Sequence, residues 1–296
     1  MKKIPGAKSA FVVMLFLAVV VIASLGCIGQ NNQSSQLPTS AQPAAVTLRI
    51  SGSTTALPFV ELAAEQYNSE QKNVTVSVSG GGSGVGISDL IAGNSNIGMI
   101  SRDLTNADRN LAKNTSKTFE ATAIAYDSIV IAVSPDVYNS GVKALSTAQL
   151  KAIYAGNITN WKQVGGFDQP IYVISREDGS GTRDTFDQYV MGSTTAETNG
   201  VKTVAGSNSE AQLAISDSKV AIGYLGIGFI NDKVRAVKLN GMLANVTNTR
   251  DRTYPLSRKL YLVTLGDPSQ QAQQFIKYCL GPEAQQIASA NGFVAL

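Results

Sequence analysis

The sequence predicts an α/β fold of two lobes, and three observations predict it. Strand-like and helix-like segments alternate through nearly the whole chain after residue 45. Three of the strand-like segments empty into a Gly/Ser/Thr-rich turn that opens a helix, near Ser53, Ser83 and Ser180. Two long apolar strand-like passages, residues 121–133 (ATAIAYDSIVIAV) and 255–265 (PLSRKLYLVTL), carry the chain from one lobe to the other and back.

Residues 47–51 (TLRIS) alternate apolar and polar, the period of a half-buried strand, and run into Gly52-Ser53-Thr54-Thr55. A helix follows over 57–67, with Pro58 in the first turn, where its missing N–H costs nothing. Val74, Val76 and Val78 form a second alternating strand, which empties into the glycine-rich residues 80–84; a helix begins near Val85. Residues 97–100 are a third short strand opening into Ser101-Arg102-Asp103-Leu104. Ile171, Val173 and Ile174 mark a buried strand, and residues 182–190 a helix with Phe186 and Val190 four apart on one face. Helices over 269–280 and 282–290 close the chain, with Gly281-Pro282 ending the first. One lobe is expected from residues 46–125 with 262–296, the other from residues 126–261.

Lys2, Lys3 and Lys8 precede an unbroken apolar run over residues 10–23. That run is short of the roughly 20 residues a spanning helix needs, so residues 1–27 read as an export segment. Cys27 stands where a lipoprotein signal carries its lipid-accepting cysteine; the competing reading is an uncleaved peptide anchor over residues 10–28. Either one tethers the chain to a membrane outside the cytoplasm. Residues 28–45, polar, proline-punctuated and uncharged, read as a flexible linker.

The formal charge of +3 comes from 24 basic against 21 acidic residues, and Lys2, Lys3 and Lys8 account for the whole excess. The rest of the chain is neutral, which argues against a nucleic-acid partner and requires any anion to be held locally. The absence of histidine excludes a Ser-His-Asp triad, a Cys-His dyad and a His-bearing zinc site. Cys27 and Cys279 are the only cysteines, so the body has no internal disulfide. Cys279 lies on an amphipathic helix and reads as a buried structural thiol. No cofactor and no metal are expected.

The chemistry concentrates in residues 174–186, ISREDGSGTRDTF. A strand ends there and a helix begins, so unpaired backbone N–H groups point outward at the positive end of a helix dipole. Ser180 and Thr182 add hydroxyl donors, Gly179 and Gly181 let a ligand approach the backbone, and Arg176 supplies charge. Such a turn suits a small tetrahedral oxyanion. The bland reading is a helix cap; the two sister turns near Ser53 and Ser83 tip the balance toward anion binding. Arg183 is expected to pair with Asp184 or Asp187. Arg258 and Lys259 are expected to fix lobe geometry at the crossing, and Trp161 to fill a packed turn.

The segments SGSTT (51–55), GGGSGVG (80–86), IGMISRDL (97–104), YAGNITNWKQVGG (154–166), SREDGSGTRDTF (175–186), AIGYLGIGF (221–229) and YPLSRKLYLVT (254–264) occur in an order that resembles the phosphate-binding PstS family of type II periplasmic binding proteins. The resemblance implies an anion held between two lobes that close on it by a hinge. It implies a site formed by Ser53, Thr54, Thr55, Ser83, Ser101, Arg102, Arg176, Ser180, Gly181 and Thr182. Some family members carry an aspartate directly after the third-loop serine, where it accepts the proton of hydrogen phosphate. This chain has Arg102 there, read as an anion contact or a loop brace, so the acceptor role passes to Asp103 or Asp178.

The expectation is therefore a monomeric, membrane-tethered binding protein, not an enzyme, that captures inorganic phosphate and delivers it to an ABC permease. Sulfate, molybdate and tungstate are the alternative ligands. A phosphatase or hydrolase using Ser180 ranks below both, because the sequence supplies Ser180 with no general base of the usual kinds.

Overall fold

The computed structural model describes residues 46–296; the export segment, the linker and Cys27 lie outside the described residues. In chain order, β1 (Val46–Gly52), α1 (Leu57–Glu70), β2 (Val74–Ser79), α2 (Ser83–Ala92) and β3 (Ile97–Ile100) lead through α3 (Asn106–Lys113) into the long β4 (Phe119–Val133). There follow α4 (Pro135–Asn139), β5 (Ala144–Leu145), α5 (Thr147–Tyr154), β6 (Tyr172–Arg176), α6 (Gly181–Phe186), β7 (Val201–Ala205), α7 (Asn208–Ser216), β8 (Ala221–Gly226), β9 (Arg235–Leu239) and α8 (Val246–Arg250). β10 (Ser257–Leu265), α9 (Gln270–Cys279) and α10 (Pro282–Ala290) close the chain.

The strands form one continuous path in the order β2-β1-β3-β10-β4-β8-β6-β7, with β9 bridging β4 and β5. β1 pairs in parallel with β2 and β3, and β6 in parallel with β7 and β8. The two parallel groups are the hearts of the two lobes, and β4 joins them. Over residues 119–128 it pairs antiparallel with β10; over residues 129–133 it pairs with β8 and β9 instead. Residues 127–133 of β4 are buried without a break, where the strand lies inside a sheet covered on both faces, and all but Asp127 and Ser128 are apolar.

Each lobe packs apolar side chains on both faces of its sheet. In the first, Leu48, Phe59, Ile97, Leu262 and Phe275 meet on one face, and Ile87, Ile100 and Val263 on the other. In the second, Trp161, Val173, Phe186 and Tyr224 lie on one face, and Val130, Ile174, Ile215 and Leu225 on the other. Each fully buried large side chain contributes about 1.5–3 kcal/mol relative to exposure. Trp161 fills its turn with its indole N–H donated to the Val220 carbonyl at 3.0 Å. Cys279 is buried in the first lobe, where burial pushes its thiol pKa up and leaves it protonated at neutral pH.

The helix read over residues 182–190 departs from regular geometry. α6 ends at Phe186 and continues as one π-helical turn, Asp187–Met191, closed by the Gly192 N–H on the Asp187 carbonyl at 2.9 Å. Phe186, Val190 and Met191 are all buried, so the segment keeps one apolar face against the core through the change of pitch.

Candidate functional site

Five strand ends converge on one buried spot between the lobes. β1 delivers Ser53, Thr54 and Thr55 at the start of α1; β2 delivers Ser83, the first residue of α2; β3 delivers Ser101. From the other lobe β6 delivers Arg176 and the turn to Thr182, and β7 delivers Asn208, the first residue of α7. The side chains of Ser53, Thr54, Thr55, Ser83, Ser101, Arg176, Ser180, Thr182 and Asn208 are all buried. This is the consequence of parallel pairing: neighbouring strands point their carboxyl ends, and the helix starts that follow, the same way.

The local sequence explains how each loop is held. The Ser53 hydroxyl accepts from the Thr55 and Ala56 N–H groups and closes the turn that leads into α1. Gly82 adopts φ +92°, a conformation that favours glycine and swings the chain into α2. Ser180 caps α6 by accepting from the Arg183 N–H at 3.3 Å. Beneath that turn Phe186 stacks on Tyr224 with centroids 3.9 Å apart, and the Tyr224 hydroxyl bonds the Ser175 hydroxyl at 2.9 Å and accepts from the Arg176 N–H at 3.3 Å.

The lobes touch directly across the site. Thr55 and Thr182 face each other hydroxyl to hydroxyl at 2.9 Å, and the Gly84 N–H donates to the Gly179 carbonyl at 2.9 Å. Arg176 Nη2 donates to Thr54 Oγ1 at 3.1 Å, and Asn208 Nδ2 donates to both Thr54 and Thr55 at 3.2 and 2.9 Å. A Cβ on Gly181 would stand 2.3 Å from Ser83 Oγ and 2.8 Å from Ser101 Oγ, so only glycine permits this approach.

Hydrogen accounting shows what this arrangement offers. Asn208 Oδ1 accepts from the Gly226 N–H, which fixes the amide with its nitrogen toward the threonines. Thr54 Oγ1 accepts from Arg176 and Asn208, filling both lone pairs and freeing its own hydrogen to donate. Thr55 Oγ1 accepts from Asn208 and from Arg258 Nη2 at 3.2 Å, so its hydrogen goes to Thr182, whose own hydrogen is then free. The backbone N–H groups of Thr54, Ser83, Gly181 and Thr182 donate to no acceptor among the described residues. Arg176 Nη1, fully buried, is likewise without a partner. A buried guanidinium nitrogen with nothing to donate to costs free energy that an anion would recover.

Every nearby carboxylate is already engaged. Glu177 takes both Nε and Nη2 of Arg176, at 3.0 and 2.9 Å. Asp127 takes Arg258 at 2.7 Å and the Ile227 N–H at 3.2 Å. Burial pushes the Asp127 carboxyl up and the Arg258 guanidinium down in pKa, and their mutual attraction opposes both shifts.

The structure thus brings Ser53, Thr54, Thr55, Ser83, Ser101, Arg176, Ser180, Gly181 and Thr182 together. It turns three of the sequence's candidates away. Arg102 spends its donors on Asp108, the Asp103 carbonyl and Asp184. Asp103 accepts from the Tyr261 hydroxyl on the protein's rim, and Asp178, almost wholly exposed, pairs with Arg183. Both acids therefore face away from the buried spot that a proton acceptor must reach. Arg183 also pairs with Asp187 at 3.2 Å rather than with Asp184.

Sequence reasoning missed Asn208 and Asp127. Asn208 had the same signal as the other loops, a strand (Val201–Ala205) running through Gly206-Ser207 into a helix. Asp127 is the single acid in the apolar stretch 121–133, an oddity that a buried ion pair explains.

A profile of the PBP superfamily domain matches residues 38–283. The chain is 32% identical to the phosphate-binding protein PstS of Bacillus subtilis over 97% of this chain and 94% of that one. It is similar in structure to a putative phosphate ABC transporter substrate-binding protein with bound phosphate from Clostridium perfringens, with a TM-score of 0.77 and 32% identity over 84% of this chain and 99% of that one. An ABC-type phosphate transport receptor from Vibrio cholerae gives a TM-score of 0.68 and 34% identity over 84% of this chain and all of that one. With its two lobes, its crossing strands and its five converging loops, the chain belongs to the PBP superfamily, among the PstS-type phosphate-binding proteins.

Proposed function

We propose that this chain captures inorganic phosphate between its lobes and delivers it to an ABC permease. The observation that carries the reading is the unpartnered, buried Nη1 of Arg176, surrounded by inward-facing hydroxyl and backbone donors from both lobes. Stripping water from a small dianion is costly, and many short charge-assisted bonds are needed to replace it. Arg176, Thr54, Ser83, Gly181 and Thr182 supply such donors, with Ser53, Thr55, Ser101 and Ser180 shaping or completing the shell. The names of the relatives support phosphate as the ligand and an ABC transporter as the partner.

The lobes in this proposal are residues 46–125 with 262–296 and residues 126–261, closing about β4 and β10. The protein acts as a monomer outside the cytoplasm, tethered either by lipid on Cys27 or by an uncleaved anchor over residues 10–28, and the linker after it gives it reach. Titration calorimetry with phosphate tests the central reading, and a protein that gives no binding heat at any concentration up to millimolar sinks it.

A second reading, a receptor for sulfate, molybdate or tungstate, has one observation in its favour: Glu177 and Asp127 are both occupied by arginines, so no free carboxylate repels a proton-free anion. Nothing comparable favours a hydrolase. Ser180 Oγ accepts from the Arg183 N–H and bonds no side chain that would take its proton among the described residues.

A further inference from the structure

Arg102 occupies an unexpected place. It follows Ser101 directly, yet its guanidinium leaves the converging loops and reaches across the mouth of the cleft. Nε donates to Asp184 Oδ2 at 2.8 Å, in the first turn of α6 on the other lobe. The remaining nitrogens stay within their own lobe: Nη1 on Asp108 at 2.5 Å and on the Asp103 carbonyl at 3.0 Å, Nη2 on Asp108 at 3.3 Å.

The two halves of this contact are built differently. Asp108 is locked before it meets Arg102, because it closes a capping box with Thr105 at the start of α3, accepting from the Thr105 N–H at 2.8 Å. Burial disfavours the Asp108 charge, but hydrogen bonds from Arg102 and Thr105 outweigh it and hold the carboxyl below the usual aspartate range. Arg102 is thus aimed by lobe-one groups alone and keeps its orientation whether the lobes are together or apart. The Asp184 side chain has Arg102 as its one partner among the described residues. The Asp184 contact therefore exists only when the lobes meet, and it is half sheltered, with 11% and 29% of the two side chains exposed.

We infer that Arg102 and Asp184 form a latch that holds the lobes closed without touching the ligand. The inference rests on the proposed phosphate site only in that closure is what retains the anion. Asp184 lies in the same first turn of α6 as Gly181 and Thr182, so fastening it pins the helix whose start forms half of the site. Because Arg102 is already aimed, closure orders mainly the short aspartate, which keeps the entropic cost of the bond low. Arg102 and Asp184 are positioning residues. They set how long the closed state lasts, and encounter between open protein and anion does not involve them.

The test is a stopped-flow measurement of phosphate association and dissociation on Asp184→Asn, which keeps shape and leaves the Arg102–Asp108 pair intact. Dissociation should quicken by about three- to tenfold, the range of a partly sheltered ion pair, with association unchanged. A double-mutant cycle with Arg102→Gln should show that once Asp184 is neutral, the second change adds little to dissociation. Added salt should speed dissociation more in the natural protein than in Asp184→Asn. An unchanged dissociation rate in Asp184→Asn, or additive single effects, overturns the latch. If the natural protein binds no phosphate, the phosphate reading falls instead. Single-molecule energy transfer between dyes on the two lobes then decides the latch: more open molecules in Asp184→Asn supports it, and an unchanged distribution overturns it.

Discussion

Asp127 and Arg258 face each other at 2.7 Å as registered neighbours on β4 and β10, both sealed from solvent. They sit where β4 exchanges β10 for β8 and β9 as its partner, so the pair fastens the strands on which the lobes turn. Arg258 also donates to the Ser101 carbonyl at 3.0 Å and to Thr55 Oγ1 at 3.2 Å, tying two binding loops to the crossing. Sequence reading expected Arg258 to fix lobe geometry, and its contacts fit that role while adding a direct link to the site.

Removing one member of a buried ion pair leaves the other charged and unpaired, at a cost of about 3–5 kcal/mol. Asp127→Ala should destabilise the protein by that order in urea unfolding. Phosphate binding should weaken too, because freed Arg258 no longer holds Thr55 and Ser101. Full stability in Asp127→Ala would mean that the pair contributes little to the fold.

Arg176→Ala should weaken phosphate binding at least about thirtyfold, since truncating a buried charged donor costs about 2–5 kcal/mol. Ser83→Ala removes one neutral hydroxyl and should cost about 1 kcal/mol, roughly fivefold. Arg176→Lys should not restore affinity, because a point ammonium cannot serve Thr54, Glu177 and the ligand at once. Calorimetric titration of the three variants gives the order, and equal losses in Arg176→Ala and Ser83→Ala would contradict the site.

Much of this was legible because strand–turn–helix junctions write themselves in local chemistry. Gly52-Ser53-Thr54-Thr55, residues 80–84 and residues 179–182 each combine freedom of backbone, a hydroxyl side chain and a nearby helix start, and all three land at the site. The two crossing strands were legible from apolar length. What the sequence hid was which partner each charge chooses. Arg102 has Asp103 beside it, yet pairs with Asp108 and Asp184, because those carboxylates are presented by α3 and by the opposite lobe. Arg176 takes its neighbour Glu177, while Asp178 is drawn outward to Arg183. Side-chain pairing across 82 residues depends on lobe closure, which no local pattern encodes.

Gly181→Ala offers a test of the closed geometry that spares every donor. Its Cβ would collide with Ser83 Oγ at 2.3 Å and Ser101 Oγ at 2.8 Å. Both obstacles belong to the opposite lobe, so the lobes can part to relieve the clash without unfolding. Affinity for phosphate should fall more than tenfold, on the order of 1.4 kcal/mol or more, while the melting temperature of the ligand-free protein stays within about 2 °C of the natural one. Unimpaired binding would show that Gly181 does not approach Ser83 and Ser101 in the bound state.

Asp187 gives the fold a pH signature. Burial pushes its carboxyl from the ordinary 3.8 up to about 6, with Arg183 opposing the shift, and one of its oxygens is buried without a partner. Between roughly pH 4 and 6 the native state therefore holds a proton that the unfolded chain has lost. Stability contributed at this site is present at the acid end of that window and lost as the pH rises through 6. Asp108 acts oppositely and lower, because its depressed carboxyl loses stability only as the pH falls below the ordinary aspartate value. Chemical denaturation of the natural protein and Asp187→Asn at pH 5 and pH 7 separates the two. The natural protein should gain stability relative to the variant on moving from pH 7 to 5, and a difference that does not change with pH would mean that Asp187 titrates as an ordinary carboxylate.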